Sequence, residues 1–365
     1  MILAATPRTS RDLTAPWLTA ALGPERLAGA SVASFALREI GAGMGILTDL
    51  VQVSLHYDRP TAAPASLVAK FAASSLAART IAHMYDLYEN EVHFYRELAA
   101  ETPVRTPHCY FVHSDPVTRD FVLLLEDLSE AQLADQLVGC PPEQAARVVR
   151  AMAVLHAFWW EHPRLSALPW LHRLCDPMYT DGVPRLYQRN APLTLERLGA
   201  MVPAWFPVLS STFGNATRTL LQRLDGLPHT LVHGDFRLDN LLFGDGVQTP
   251  LLTMLDWQIV LRGPGIYDLG YFLSQSLSTE DRRAHEADLL ALYHDHLRQQ
   301  GVQNCEKEEL YQAYRLVSLY CLVYPMIAGA AVDTANPRAL DLLRCTASRA
   351  WATIEDHHAV DLLPR

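Results

Sequence analysis

The alternation of apolar and polar positions divides the chain into two stretches of different character. Residues 34–73 read as strands. Residues 34–40 are a mixed apolar run, Thr48–Tyr57 alternates and is rich in β-branched residues, and Ser66–Ala72 is apolar again. Pro60 and Pro64 break the connection between the last two. From residue 75 to residue 100 the period changes. Tyr85, Tyr88, Val92, Tyr95 and Leu98 recur at three- and four-residue steps, which predicts a helix. A strand pair follows at 107–114 and 120–125. After Glu126-Asp127-Leu128 helical patterns dominate, including 143–160 and 279–300, with short β segments near 231–232, 240–243 and 251–255. Strands with one helix, then a mostly helical half, predict an α+β protein in two segregated parts, 1–127 and 128–365.

Composition narrows the function classes. Half of the 365 residues are hydrophobic and 19% are charged, which describes a packed protein with a sizeable core. A formal net charge of −10 argues against general binding of nucleic acid. Six cysteines are scattered without a C-x-x-C pair, so neither a zinc site nor a disulfide framework is expected, and reduced thiols fit a cytoplasmic protein. The first residues lack the basic flank and long apolar run of a signal peptide. Residues 316–332 carry no charge, but they include Ser318, Tyr320, Tyr324 and Pro325. Their length and composition predict a buried helix that breaks at the proline, and no membrane span.

The chemistry concentrates in residues 231–258, which read LVHGDFRLDNLLFG, a short turn-rich stretch, then LLTMLDWQ. Asp235 stands five positions before Asn240 on a polar loop, and Asp256 follows a second apolar run. A carboxylate that can take a proton, with an amide oxygen and a second carboxylate that can hold Mg²⁺, is what phosphoryl transfer needs. An ordinary Asp-rich turn accounts for one of these residues but not for the conjunction. Lys70 adds to the pattern. The chain has two lysines, Lys70 and Lys307, against 28 arginines, and Lys70 sits inside the apolar strand Leu67-Val68-Ala69-Lys70-Phe71. A compact point charge there suits phosphate binding; a solvent-facing strand lysine is the plain alternative. Gly41, Gly43 and Gly45 stand between two predicted strands, where glycines let backbone amides approach phosphate oxygens or simply make a hairpin turn.

Taken together, His233-Gly234-Asp235, Asn240 and Asp256 resemble the catalytic loop and metal-binding Asp of the aminoglycoside phosphotransferase and choline kinase group within the kinase-like superfamily. Asn90-Glu91-Val92-His93-Phe94-Tyr95, LLLEDL at 123–128 and Gln258 after Asp256-Trp257 are most similar to its ecdysteroid-kinase-like branch. The likeness runs from about residue 40 to about residue 277, with its motifs in order. It implies a bilobal protein-kinase-like fold, with an antiparallel N-lobe sheet plus helix and a mostly helical C-lobe. It also implies ATP and Mg²⁺, with Asp235 as base and Asn240 and Asp256 on the metal. Lys70 would pair with Glu91, Glu89 being the competitor, and the nucleotide would lie along Gly41, Gly43, Gly45 and the backbone at Glu126 and Leu128. Asp268 would brace the catalytic loop, and His156 reads as a packed helix residue. Trp257-Gln258 replaces Phe-Gly after the metal-binding Asp, so protein-kinase gating is not implied.

The implied partner is a small-molecule hydroxyl acceptor. The segment 161–228 holds five acidic residues and seven arginines, together with Trp170, Tyr179, Tyr187, Trp205 and Phe206. A polycationic aminoglycoside asks for carboxylates, which are not enriched there, so a neutral or anionic acceptor is expected, such as a steroid-like alcohol or a hydroxyacyl-CoA. An aromatic cage for choline needs few carboxylates and keeps that acceptor open. A nucleotide-binding scaffold without turnover is the reading from another class. Oligomeric state is not legible.

Overall fold

The computed structural model describes residues 6–40, 47–247 and 249–363. They form a mixed protein with an antiparallel N-terminal sheet and a helical C-terminal region, the arrangement of a bilobal protein-kinase-like fold. The chain groups into two compact units. One takes Met1–Glu101, Arg105–Ala131 and Gly244–Gln258; the other takes Thr102–Val104, Gln132–Phe243 and Ile259–Arg365.

In the first unit, helices α1 (Ala15–Leu22) and α2 (Pro24–Leu27) precede strands β1 (Val32–Ile40), β2 (Thr48–Tyr57) and β3 (Ser66–Ala72). Helices α3 (Leu76–Met84) and α4 (Leu87–His93) then lead to β4 (Cys109–Ser114) and β5 (Phe121–Glu126). The five strands form one antiparallel sheet in the order β1-β2-β3-β5-β4. One face carries Val51, Val53, Leu55, Leu67, Ala69, Phe71, Val122 and Leu124, which pack with Trp17, Leu18 and Leu22 of α1. Each fully buried side chain of this kind is worth about 1.5–3 kcal/mol. Lys70 is paired in register with Leu50 and Leu123 and therefore points to the other face.

The helix expected over 75–100 is broken. Asp86 adopts φ +51° between α3 and α4, and a π-helical turn at Phe94–Leu98 continues α4. Asp tolerates the left-handed region better than most residues. Here its carboxylate and that of Glu89 both hold Arg119, at 2.6 and 2.5 Å. That long-range pairing, with a residue some thirty positions on, outweighs the continuous helical period.

The second unit contains α5 (Pro142–Phe158), α6 (Pro163–Ala167), α7 (Pro177–Thr180), α8 (Gly182–Leu198) and α9 (Phe206–Asp225). After these come α10 (Ile266–Ser276), α11 (Thr279–Gln299), α12 (Lys307–Tyr320), α13 (Val323–Ala328) and α14 (Pro337–Asp356). Between α9 and α10 lie the short strands β7 (Thr230–Val232), β8 (Leu241–Phe243) and β10 (Leu261–Gly263). Strand β7 pairs with β10, and β8 pairs with β6 (Gln132–Leu133). Strand β9 (Leu252–Met254) belongs to the first unit. Every residue of α10 is buried, including the polar Asp268, Ser274, Gln275 and Ser276.

The uncharged stretch 316–332 differs from its expectation in one respect. The chain breaks at Cys321-Leu322, and Pro325 stands in the first turn of α13. A proline there lacks only an N–H that no helical carbonyl would have accepted. Of the aromatic residues in the helical segment, Tyr179, Tyr187 and Phe206 are core, whereas Trp170 and Trp205 are partly exposed.

A charged cluster pins α11 to the C-terminal helix. Arg282, 1% exposed, donates to Glu286 at 2.7 Å and also to Asp356, and His357 lies 2.9 Å from Glu286. Burial raises the Glu286 pKa, but His357 and Arg282 outweigh it and hold the group below its usual value. Its stabilisation is therefore present above about pH 4.3 and lost as pH falls through the lowered folded value. Glu286→Gln is expected to cost about 3 kcal/mol at pH 7. Urea unfolding of both proteins at pH 7 and pH 3.5 checks this: the gap should narrow in acid, and an unchanged gap contradicts the assignment.

Candidate active site

In the first unit, Lys70 lies 2.9 and 2.8 Å from the two Glu91 oxygens and 2.9 Å from Asp256 Oδ1. Lys70 is 4% exposed, so an unpaired charge there would be strongly unfavourable. Burial alone pulls the Lys70 pKa down, yet Asp256 and Glu91 outweigh it and keep the group charged. Glu89 does not compete, because Arg119 holds it.

Glu91 is fixed in turn by the residues after Asp256. Gln258 Nε2 donates to Glu91 Oε2 at 3.3 Å, and Asn90 Nδ2 donates to the Gln258 carbonyl at 3.2 Å. Trp257, fully buried, stacks on Phe94 with ring centres 4.0 Å apart. The Asp-Trp-Gln sequence therefore knits its turn onto the helix that carries Glu91. Asp256 itself has φ +61°, an uncommon conformation for a residue with a side chain.

Of the other residues expected at a nucleotide, Gly41, Gly43 and Gly45 lie outside the described residues. Glu126 Oε2 accepts from the His108 amide at 2.9 Å and from Arg105. Asp127 holds Gln52 and Ser66 at 2.6 and 2.7 Å, and the Leu128 carbonyl accepts from the Ala131 amide at 2.9 Å. The side chains at 126 and 127 thus fasten the strand exit.

In the second unit, β7 ends at Val232 and releases the loop His233–Asn240, after which β8 begins. Gly234 has φ +84°, and a Cβ there would meet the Ile259 carbonyl oxygen at 2.2 Å, so only glycine fits. Asp268 braces the loop. Its two oxygens accept from the amides of His233 and Gly234 at 2.8 and 2.9 Å. His156 lies 3.2 Å from Asp268 and 2.7 Å from the Tyr293 hydroxyl, a chain of fully buried polar groups satisfied by a proton on Nε2.

The Asp235 carboxylate is held on both oxygens. Tyr271 donates to Oδ1 at 3.0 Å; Asn240 Nδ2 and Arg237 Nε donate to Oδ2 at 2.9 and 3.3 Å. Asn240 Nδ2 also donates to the Asp235 carbonyl at 2.8 Å. With its amino group spent in this way, the Asn240 carbonyl oxygen has no hydrogen-bond donor among the described residues, which suits a cation ligand. Arg237 bridges Asp235 and Asp239. Burial pulls the Arg237 pKa down, but Asp235, Tyr271 and Asp239 outweigh it, so the group stays charged. Tyr324 donates to the Gly234 carbonyl at 2.9 Å and stacks on Tyr271 with centres 4.3 Å apart.

The Asn240 amide oxygen and the Asp256 carboxylate are each a hard oxygen donor of the kind that Mg²⁺ takes. Among the described residues no cluster of three or more His, Cys, Asp or Glu could hold a metal ion. Sequence reasoning missed Tyr271 and Tyr324, which read as core aromatics, and it left Arg237 and Asp239 without a role. The alternation Asp235-Phe236-Arg237-Leu238-Asp239 was the one visible signal for the last two.

A model of the ecdysteroid kinase-like family matches residues 42–305. Solved structures of similar fold include choline kinase from Cryptosporidium parvum Iowa II, 11% identical, with 90% of each chain covered and a TM-score of 0.55. Plasmodium vivax ethanolamine kinase is 11% identical over 91% of this chain and 83% of its own, with a TM-score of 0.52. A type I macrolide 2'-phosphotransferase is 17% identical over 94% and 98%, with a TM-score of 0.50. No curated protein sequence matches the chain. At such identities the likeness establishes a common fold, and the acceptors named are those of the other proteins.

Proposed function

The chain belongs to the ecdysteroid kinase-like family, and from that membership we propose that it moves the γ-phosphate of ATP, with Mg²⁺, to a hydroxyl of a small molecule. The observation that carries this reading is the Asp235–Asn240 pair: one carboxylate oriented by three donors, beside an amide oxygen left for a cation. Asp235 receives the proton of the acceptor hydroxyl as its oxygen bonds to the γ-phosphorus, and the β–γ bridging oxygen departs with ADP. Lys70, positioned by Glu91, neutralises phosphate charge of the bound nucleotide. Asn240 and Asp256 would be the residues that hold Mg²⁺, which would supply further charge neutralisation when bound. The buried Lys70–Glu91 pair is already formed, so its geometry needs no reorganisation when nucleotide arrives.

The acceptor we favour is neutral or anionic, because residues 161–228 carry seven arginines against five acidic residues. A steroid-like alcohol or a hydroxyacyl-CoA fits this balance. ADP release with ATP and Mg²⁺ across steroid and terpenoid alcohols, hydroxyacyl-CoAs, aminoglycosides and choline tests it. Turnover with aminoglycosides alone would overturn the charge argument, and nucleotide binding without any turnover would point to a scaffold. The six cysteines are free thiols, which supports a reducing, cytoplasmic setting.

Tyr271 gives the base site a separate test. Its hydroxyl is one of three donors on Asp235, and a hydrogen bond to a charged group is worth about 1.5–3 kcal/mol. Tyr271→Phe keeps the ring stacked on Tyr324 and is expected to lower kcat about tenfold with an unchanged KM for ATP. Steady-state kinetics on a folded variant decides it; an unaltered kcat removes Tyr271 from the mechanism.

A further inference from the structure

The second unit contains a polar cavity of about 460 Å³, lined in part by Glu161, His162, Ser166, Asp225, His229 and Arg262, none of them in the catalytic loop. Its walls carry polar groups that the protein itself leaves unmatched. Arg262 lies in the middle of β10, paired with Leu231. Its one side-chain hydrogen bond runs from Nη1 to the neutral Ser166 hydroxyl at 2.6 Å. Among the described residues no carboxylate lies within ion-pair distance of it, and its buried Nε has no partner.

Asp225, 8% exposed, is paired with Arg173 through Oδ2 and has the Cys175 thiol beside its carboxylate, while its buried Oδ1 has no hydrogen-bond partner within normal geometry. His229 Nε2 approaches Oδ1 only to 3.6 Å, because it is engaged with the Asp225 carbonyl at 2.8 Å. Glu161, the other acid on the rim, is exposed and accepts from Asn304. A half-buried guanidinium without a counter-charge and a buried carboxylate oxygen without a hydrogen-bond partner stand on the walls of one cavity, and one ligand could complete both.

The two deficits define the ligand. Arg262 asks for a planar or tetrahedral anion with acceptors for its fork, and Asp225 Oδ1 asks for a donor such as a hydroxyl. The volume is within the range of small-molecule sites. We propose that this cavity binds a small hydroxylated anion, a hydroxy acid or a phosphate monoester, through Arg262 and Asp225. The site is independent of the phosphotransferase reading, since it shares no residue with the catalytic loop.

Thermal shift and calorimetry on the full chain test the proposal, with glycerol 3-phosphate and glycerate as probes and glycerol as the uncharged control. Saturable stabilisation by at least one anionic probe, with none by glycerol, is expected, and Arg262→Gln should weaken it at least about tenfold. Saturating ADP with Mg²⁺ should not displace the probe, which separates this cavity from the nucleotide site. If Arg262→Gln does not fold, Arg262→Lys, which keeps the charge but loses the fork, should weaken binding to a lesser degree. The proposal fails if no anionic probe saturates below about 10 mM, or if the folded Arg262 variant binds as the wild type does.

Discussion

Asp235→Asn is expected to lower the rate of phosphoryl transfer by about 10³-fold while leaving nucleotide affinity within about twofold. The local geometry makes this a clean substitution. Asparagine has the same shape, and its amide oxygen can still accept from Asn240 and Arg237 on one side. Its amino group then faces Tyr271, whose hydroxyl can turn to accept instead of donate. The loop should therefore keep its conformation and lose only the group that takes the proton. Turnover of whichever acceptor proves active, measured beside nucleotide affinity and melting temperature, settles the matter. A kcat within tenfold of wild type would mean that Asp235 is not the base.

Lys70→Met is expected to damage both activity and stability. It leaves the Glu91 carboxylate, 1% exposed, without its cation, a loss of about 3–5 kcal/mol. Burial already raises the Glu91 pKa, and removal of Lys70 raises it further. A carboxyl whose folded pKa lies above its unfolded value favours the folded state at low pH and loses that advantage as pH rises. The variant should therefore be less impaired at pH 5 than at pH 8. Lys70→Met/Glu91→Leu should recover most of the stability, since neither charge is then buried, but none of the activity. Denaturant unfolding with parallel kinetics separates the two effects. Recovery of activity in the double variant would show that Lys70 acts only through packing.

The strands were legible because alternation and β-branching specify them locally: β2 and β3 begin and end where the pattern does. The break at Asp86 was not, because it depends on Arg119, and a periodic run gives no sign of a distant cation. The proline at 325 misled for a related reason. Proline marks a helix boundary, but which side of it the chain breaks on is set by the packing of α12 and α13. In the candidate site, Asp235, Asn240, Asp256 and Lys70 were readable as residue types at characteristic spacing, whereas Glu91 was readable only with Glu89 as its competitor. Their supports, Tyr271, Tyr324 and Gln258, look in sequence like ordinary core or turn residues.

Sequence alone determined the kind of protein this is: a strand-rich part, a helical part, and a set of acids, an amide and a rare lysine whose order matches one family. Only the tertiary structure decided which glutamate meets Lys70, what orients Asp235, and that residues 244–258 join the first unit. The physical reason is range. Propensity and periodicity act over a few residues, whereas Lys70 meets partners 21 and 186 positions away, and Tyr271 meets Asp235 across 36. Contacts at such separations exist only once burial and close packing have brought the segments together, so no local pattern encodes them.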